Sequence, residues 1–84
     1  SMTEMNEDSR ANELMNYSFL VVFANDDTIS EGELHMIERL ALKDNTVDED
    51  EKRIIGEIFD RANSDHMTEE VRLEIQLFRK EFGI

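Results

Sequence analysis

The chain has 84 residues, with 21 acids against 9 Lys and Arg, giving a net charge of −12, and it contains no cysteine and no proline. That length is one small domain with a thin core, and the missing thiols exclude disulfides, zinc–thiolate sites and cysteine nucleophiles. An acidic surface repels phosphate backbones, so direct nucleic-acid binding is disfavoured, while cations and basic protein faces are attracted.

The charge is uneven. Residues 1–51 hold 14 acids and 3 bases, or −11; residues 52–84 hold 7 acids and 6 bases, or −1. The longest apolar run, FLVVFA at 19–24, is far short of the roughly 20 residues that cross a bilayer. No signal-peptide pattern precedes it, so a soluble, cytoplasmic chain is expected. Ser1 before Met2 reads as a cloning scar. Residues 1–8 lack a core pattern and are expected to be a disordered tail, leaving 9–84 as a single helical domain.

Helical spacing recurs along the chain, and strand alternation is absent. A first helix is expected over residues 10–24, capped by Ser9, with Leu14, Met15, Phe19, Val22 and Phe23 inward. Leu20 and Val21 widen its apolar surface, as for a central helix. The β-branched Val21 and Val22 keep a strand as the alternative. A second helix over 31–42 turns Leu34, Ile37, Leu40 and Ala41 inward. A third over 49–62 uses Ile54, Ile55, Ile58, Phe59 and Ala62. The fourth, over 69–82, uses Val71, Ile75, Phe78 and Phe82. Leu73 and Leu77 form a second stripe on it. Finishing the core is their favoured use in so small a domain, and a partner surface or homodimer contact is the other.

The connections repeat one signal. NDDTISEGE at 25–33, KDNTVDEDE at 43–51 and NSDHMTEEV at 63–71 align Ile29, Val47 and Met67. Ser30, Asp48 and Thr68 fit as helix N-caps. Glu33 and Glu51, three residues on, complete capping boxes in the first two connections. Val71 takes that place in the third, so no box forms there. Ile29 and Val47 precede the caps as hydrophobic staples do. Asp27, Asn45 and Asp65 fall where a helix end often turns left-handed. The fold class read from this is all-α, a bundle of about four helices joined by acidic capping-box turns.

The first connection also invites a calcium reading, but its spacing rejects an EF-hand. With Glu33 at loop position 12, positions 1 and 3 are Val22 and Ala24, which carry no ligand oxygen. The second connection fails likewise, with Leu40 and Leu42. A shorter carboxylate site for Ca²⁺ or Mg²⁺ stays open, from Asp26, Asp27 and Glu33 in the first connection and Asp44, Asp48 and Glu51 in the second.

The two connections, Asp26-Asp27-Thr28-Ile29-Ser30-Glu31-Gly32-Glu33 and Asp44-Asn45-Thr46-Val47-Asp48-Glu49-Asp50-Glu51, resemble those of the tellurite-resistance B-like (TerB-like) helical family over residues 17–62. The resemblance implies an all-helical cytoplasmic domain built on two such repeats. It also implies a link with stress-response systems and metal binding through these acids.

His35 is expected on the surface at the edge of its helix, and His66 in a solvated turn. No nucleophile triad and no phosphate-binding glycine loop occurs, so no enzyme is expected. The methionines are scattered, as core fillers are. The leading expectation is a small acidic interaction module for a protein with a basic face, using Glu31, Glu49, Asp50, Leu73 and Leu77. A divalent-metal module, and an inhibitor that mimics nucleic acid or blocks a basic active site, are the alternatives.

Overall fold

A computed structural model describes residues 9–43 and 45–84; the expected tail at 1–8 and the expected ligand Asp44 lie outside them. Among the described residues the chain is a four-helix all-α bundle without strands. Helix α1 is Ala11–Tyr17 and passes directly into a π-helical turn, Ser18–Val22. Helices α2 (Glu31–Ala41), α3 (Glu49–Arg61) and α4 (Glu69–Phe82) follow, with a single 3₁₀ turn at Ser64–His66 before α4.

The caps form as their sequence dictates. Ser30 Oγ accepts the Glu33 N–H at 3.2 Å, and Glu33 Oε1 accepts the Ser30 N–H at 2.9 Å. In the second connection Asp48 Oδ1 accepts from Glu51 N at 2.7 Å, and Glu51 Oε1 from Asp48 N at 2.8 Å. Thr68 caps α4 through the Val71 N–H at 3.1 Å, without a box. There the guanidinium of Arg72 takes over, donating to the carbonyls of Ser64 and Met67 at 3.1 and 2.8 Å. Helix α4 ends on left-handed Gly83, and the Ile84 N–H closes back onto the Arg79 carbonyl at 2.9 Å, a glycine C-cap.

Of the three expected left-handed residues, only Asn45 adopts a positive φ, at 64°. Asp27 and Asp65 do not. The Asp27 side chain is drawn into contacts with the third connection, and Asp65 sits inside the 3₁₀ turn, its N–H bonded to Asn63 Oδ1.

The first helix departs most from expectation. The residue four beyond Leu14 is Ser18, and four beyond that is Val22; all three are buried. A regular helix would drift off the core face over those steps. The π turn, closed by Phe23 N–H to the Ser18 carbonyl at 2.9 Å, holds one extra residue and keeps Ser18 and Val22 on one face. Ser18 satisfies its hydroxyl on the Met15 carbonyl at 2.8 Å. Phe19, Leu20 and Val21 are thereby turned outward, with Leu20 74% exposed, and Met15, already on the outer side of α1, is 40% exposed. The expectation of a central helix with Met15 and Phe19 inward is corrected accordingly.

The N-cap of α1 is Arg10, which makes no side-chain cap bond, rather than the expected Ser9; Ser9 Oγ, one residue earlier, accepts the Ala11 N–H at 3.2 Å. The core comes from Ala11, Leu14 and Val22, from Ile29, Leu34, Ile37 and Ala41, and from Ile54, Ile55, Ile58, Phe59, Val71, Ile75 and Phe78. Helix α1 packs on α2 and α3, and α4 closes against the same two helices. Phe78 meets Phe59 edge-on at 6.2 Å and leans on Phe82 at 4.7 Å. Among the described residues, no helix is long and apolar enough to cross a membrane.

Candidate functional site

The carboxylates expected to share a cation in the first connection point to three separate tasks. Asp26 Oδ1 accepts the Thr28 N–H at 3.2 Å, a local Asx turn. Asp27 reaches across to the third connection, where Oδ1 lies 2.7 Å from His66 Nδ1 and Oδ2 accepts from the Asn63 amide at 3.2 Å. Its backbone carbonyl takes the Asn63 N–H at 2.6 Å. Glu33 belongs to the capping box.

The His66 hydrogen bond, with help from Asn63, lowers the Asp27 pKa against a partial desolvation; the same bond raises that of His66. Nearby, burial and then the charge of Glu33 push the Tyr17 phenol up.

In the second connection, Glu51 is 2% exposed and both its oxygens accept backbone N–H groups. Oε1 serves Asp48, and Oε2 takes the Arg10 N–H at 2.7 Å, joining the start of α1 to the start of α3. Asp48 Oδ1 is the cap. The structure therefore does not assemble Asp26, Asp27 and Glu33 into one site. It also places Asp48 and Glu51 in backbone caps rather than around an open ligand position.

The expected partner residues all lie on the surface. Glu31, Glu49 and Asp50 are exposed in the first turns of α2 and α3. Glu49 and Asp50 have Lys52 and Arg53 as neighbours three residues on, at 3.5 and 3.4 Å. Leu73 and Leu77 are 51% and 68% exposed, which corrects the expectation that they finish the core. Val71, Ile75 and Phe78 fill that role and leave the second stripe in water.

A groove lies between the first helix and α3. Met15, Phe19 and Phe23 line one wall and Ile54 and Ile58 the other, with Glu57 and Arg61 also lining it. The Arg61 guanidinium sits 4.8 Å from the Phe23 ring centre and 5.7 Å from that of Phe19, within cation–π range. The cavity volume is about 190 Å³. That is below the roughly 300–1,000 Å³ of small-molecule pockets and suits an inserted side chain or two. Leu20 and Val21, which follow the groove residue Phe19, are exposed as well. The sequence hid this surface because the same FLVVFA run fits a buried helix; only the π turn decides which residues face out.

A second constellation spans α2 and α4. His35 Nε2 lies 3.5 Å from Glu74 Oε2, and the Glu38 carboxylate on α2 stands beside that of Glu74 on α4. The ligating atoms of His35, Glu38 and Glu74 all lie within 4.8 Å of one another, the one such trio found among the described residues. Burial first, then the hydrogen bond that Glu38 can donate to Glu74 only when protonated, and the charge of Glu74 push Glu38 up to about 7. The i, i+3 pair on α2 is legible in the sequence. Glu74, 36 residues beyond Glu38, enters only through helix packing.

No family model matches the chain, and no curated protein or solved structure is significantly similar to it.

Proposed function

We propose that this chain is a non-enzymatic interaction module of the TerB-like type that its connections resemble. It takes a protein segment that is basic on one side and apolar on the other. The carrying observation is the run Phe19–Leu20–Val21, exposed beside the Phe23–Arg61 groove. Such contiguous apolar surface on a small domain marks a site of contact. The net charge of −12 selects a positively charged partner and speeds its approach. It also opposes a second copy of the chain as occupant, since two copies would bring like charges together.

The test titrates the full chain with a synthetic amphipathic Leu/Lys helical peptide by calorimetry, in low and high salt, with a Leu/Glu peptide as control. The expected result is saturable binding of the basic peptide, weakened by salt and by Leu20→Ser and Phe19→Ser, with unchanged helicity. Binding indifferent to both substitutions would reject the groove. Self-association abolished by Leu20→Ser would replace the basic partner with a second copy.

A further inference from the structure

We propose that His35, Glu38 and Glu74 form a site for one divalent transition-metal ion, with Zn²⁺ as the representative, clasping α2 to α4. On α2 the i, i+3 spacing sets His35 and Glu38 one above the other on a single face. Each is flanked by a fixed core residue, Leu34 beside His35 and Ile37 beside Glu38, both fully buried. On α4, Glu74 is flanked by buried Ile75 and stands one turn from buried Val71 and Phe78. The backbone beneath all three donors is therefore held by the core, which keeps the site assembled before any ion arrives.

Donor identity selects the ion. One imidazole nitrogen and two carboxylates suit Zn²⁺ and its neighbours, whereas Ca²⁺ takes six to eight oxygens. Ligand atoms about 2.0–2.2 Å from a tetrahedral Zn²⁺ stand about 3.3–3.6 Å apart. The His35–Glu74 separation of 3.5 Å already matches that spacing, and no pair in the trio exceeds 4.8 Å. His35 is half-exposed and Glu74 retains access to solvent, so water can fill the fourth position.

Charge balance points the same way, independently of the spacing. The Glu38 and Glu74 carboxylates stand within 4.8 Å of each other between α2 and α4, where two negative charges repel. Among the described residues, no Lys or Arg is in ion-pair range of Glu38 or Glu74, and the neighbour of Glu74 is the His35 imidazole. The pair lacks a positive charge, and a divalent ion supplies it. The loop acids differ: Asp27 has His66 and Asn63, and Glu51 has two backbone N–H groups.

The experiment is a calorimetric titration of the full chain with ZnCl₂, with CaCl₂ as a second probe, together with melting curves with and without chelator. One equivalent of Zn²⁺ is expected to bind and raise the melting temperature, with Ca²⁺ much weaker. His35→Gln and Glu74→Gln should each weaken Zn²⁺ by more than the roughly 10–100-fold that loss of an outer-shell partner costs. Glu38→Gln should weaken Zn²⁺ while raising the melting temperature of the metal-free chain, because it removes the repulsion. A purely structural role for Glu38 would lower both. His66→Gln should leave Zn²⁺ binding intact. Absence of saturable heat up to millimolar Zn²⁺ would overturn the site. So would affinity unmoved by His35→Gln and Glu74→Gln, or affinity lost with His66→Gln.

Discussion

The first two connections are near-copies in sequence and invert each other in depth. Both place a polar cap before a helix and a glutamate three residues on, and both close the same reciprocal box. In the first, the apolar staple goes deep: Ile29 is 1% exposed, and Glu33 is only partly covered. In the second the glutamate goes deep, at 2%, and Val47 is only partly covered. The difference comes from what arrives from elsewhere in the chain. The start of α1 lands on the start of α3, so Glu51 must satisfy the Arg10 N–H as well as that of Asp48. One motif thus serves as a local cap in one place and as a joint between helices in another.

The largest expected effect breaks that joint. Glu51→Ala leaves two N–H groups without an acceptor in a buried setting. Each unsatisfied group costs about 1–3 kcal/mol, so a loss of about 2–6 kcal/mol is expected. In a domain this size each kcal/mol lowers the melting temperature by about 4–8 °C. Glu33→Ala removes a local cap partner at a more exposed position and should cost about 0.5–1 kcal/mol. Thermal or urea melts of the two variants, side by side, measure the contrast. Equal losses would show that the two boxes are equivalent after all.

The next contrast concerns the turns themselves. Asn45 holds φ at 64°, and Asp27 in the aligned place does not. Asn45→Ala puts a side chain with no local hydrogen bond into the left-handed region and should cost about 1 kcal/mol, whereas Asn45→Gly should be close to neutral. Asp27→Gly gains nothing from the backbone and loses the contacts to Asn63 and His66, so it should destabilise. A near-neutral Asn45→Gly beside a destabilising Asp27→Gly is the expected reading of the melts.

The sequence carried the local layer of this fold well. Ser30, Glu33, Asp48, Glu51 and Thr68 cap as their spacing requires, because a cap is decided within four residues. The inward faces of α2 and α3 followed from periodicity alone. What failed depended on distant partners or on a change of helical pitch. The π turn after Tyr17 rotated Phe19 outward, and FLVVFA gives no local sign of it. Glu51 was legible as the capping-box partner of Asp48, but nothing in its own segment reveals the Arg10 N–H that occupies its second oxygen. Asp27 read as a glycine substitute because His66, 39 residues on, was out of view. The trio on α2 and α4 was half legible, as His35 and Glu38 share a face, but the third donor came from packing.

The smallest expected effect is a pH signature that belongs to the first connection alone. Asp27 is lowered by its His66 hydrogen bond, so its contribution is present above the ordinary carboxylate value of 3.8 and is lost as pH falls through its lower folded value. His66 is raised by Asp27, so its contribution is complete below the ordinary value of 6.5 and is lost as pH rises through its higher folded value. The pair therefore stabilises most between pH 3.8 and 6.5 and less on either side. Both side chains are largely in solvent, so salt screens the interaction and its size is modest. His66→Ala should lower the melting temperature most near pH 5.5, with a shrinking difference toward pH 8 and in high salt. A difference that stays flat across that range would mean that His66 acts on Asp27 as a neutral hydrogen-bond partner beside the Asn63 contacts, and that the charges of Asp27 and His66 contribute nothing to holding the two connections together.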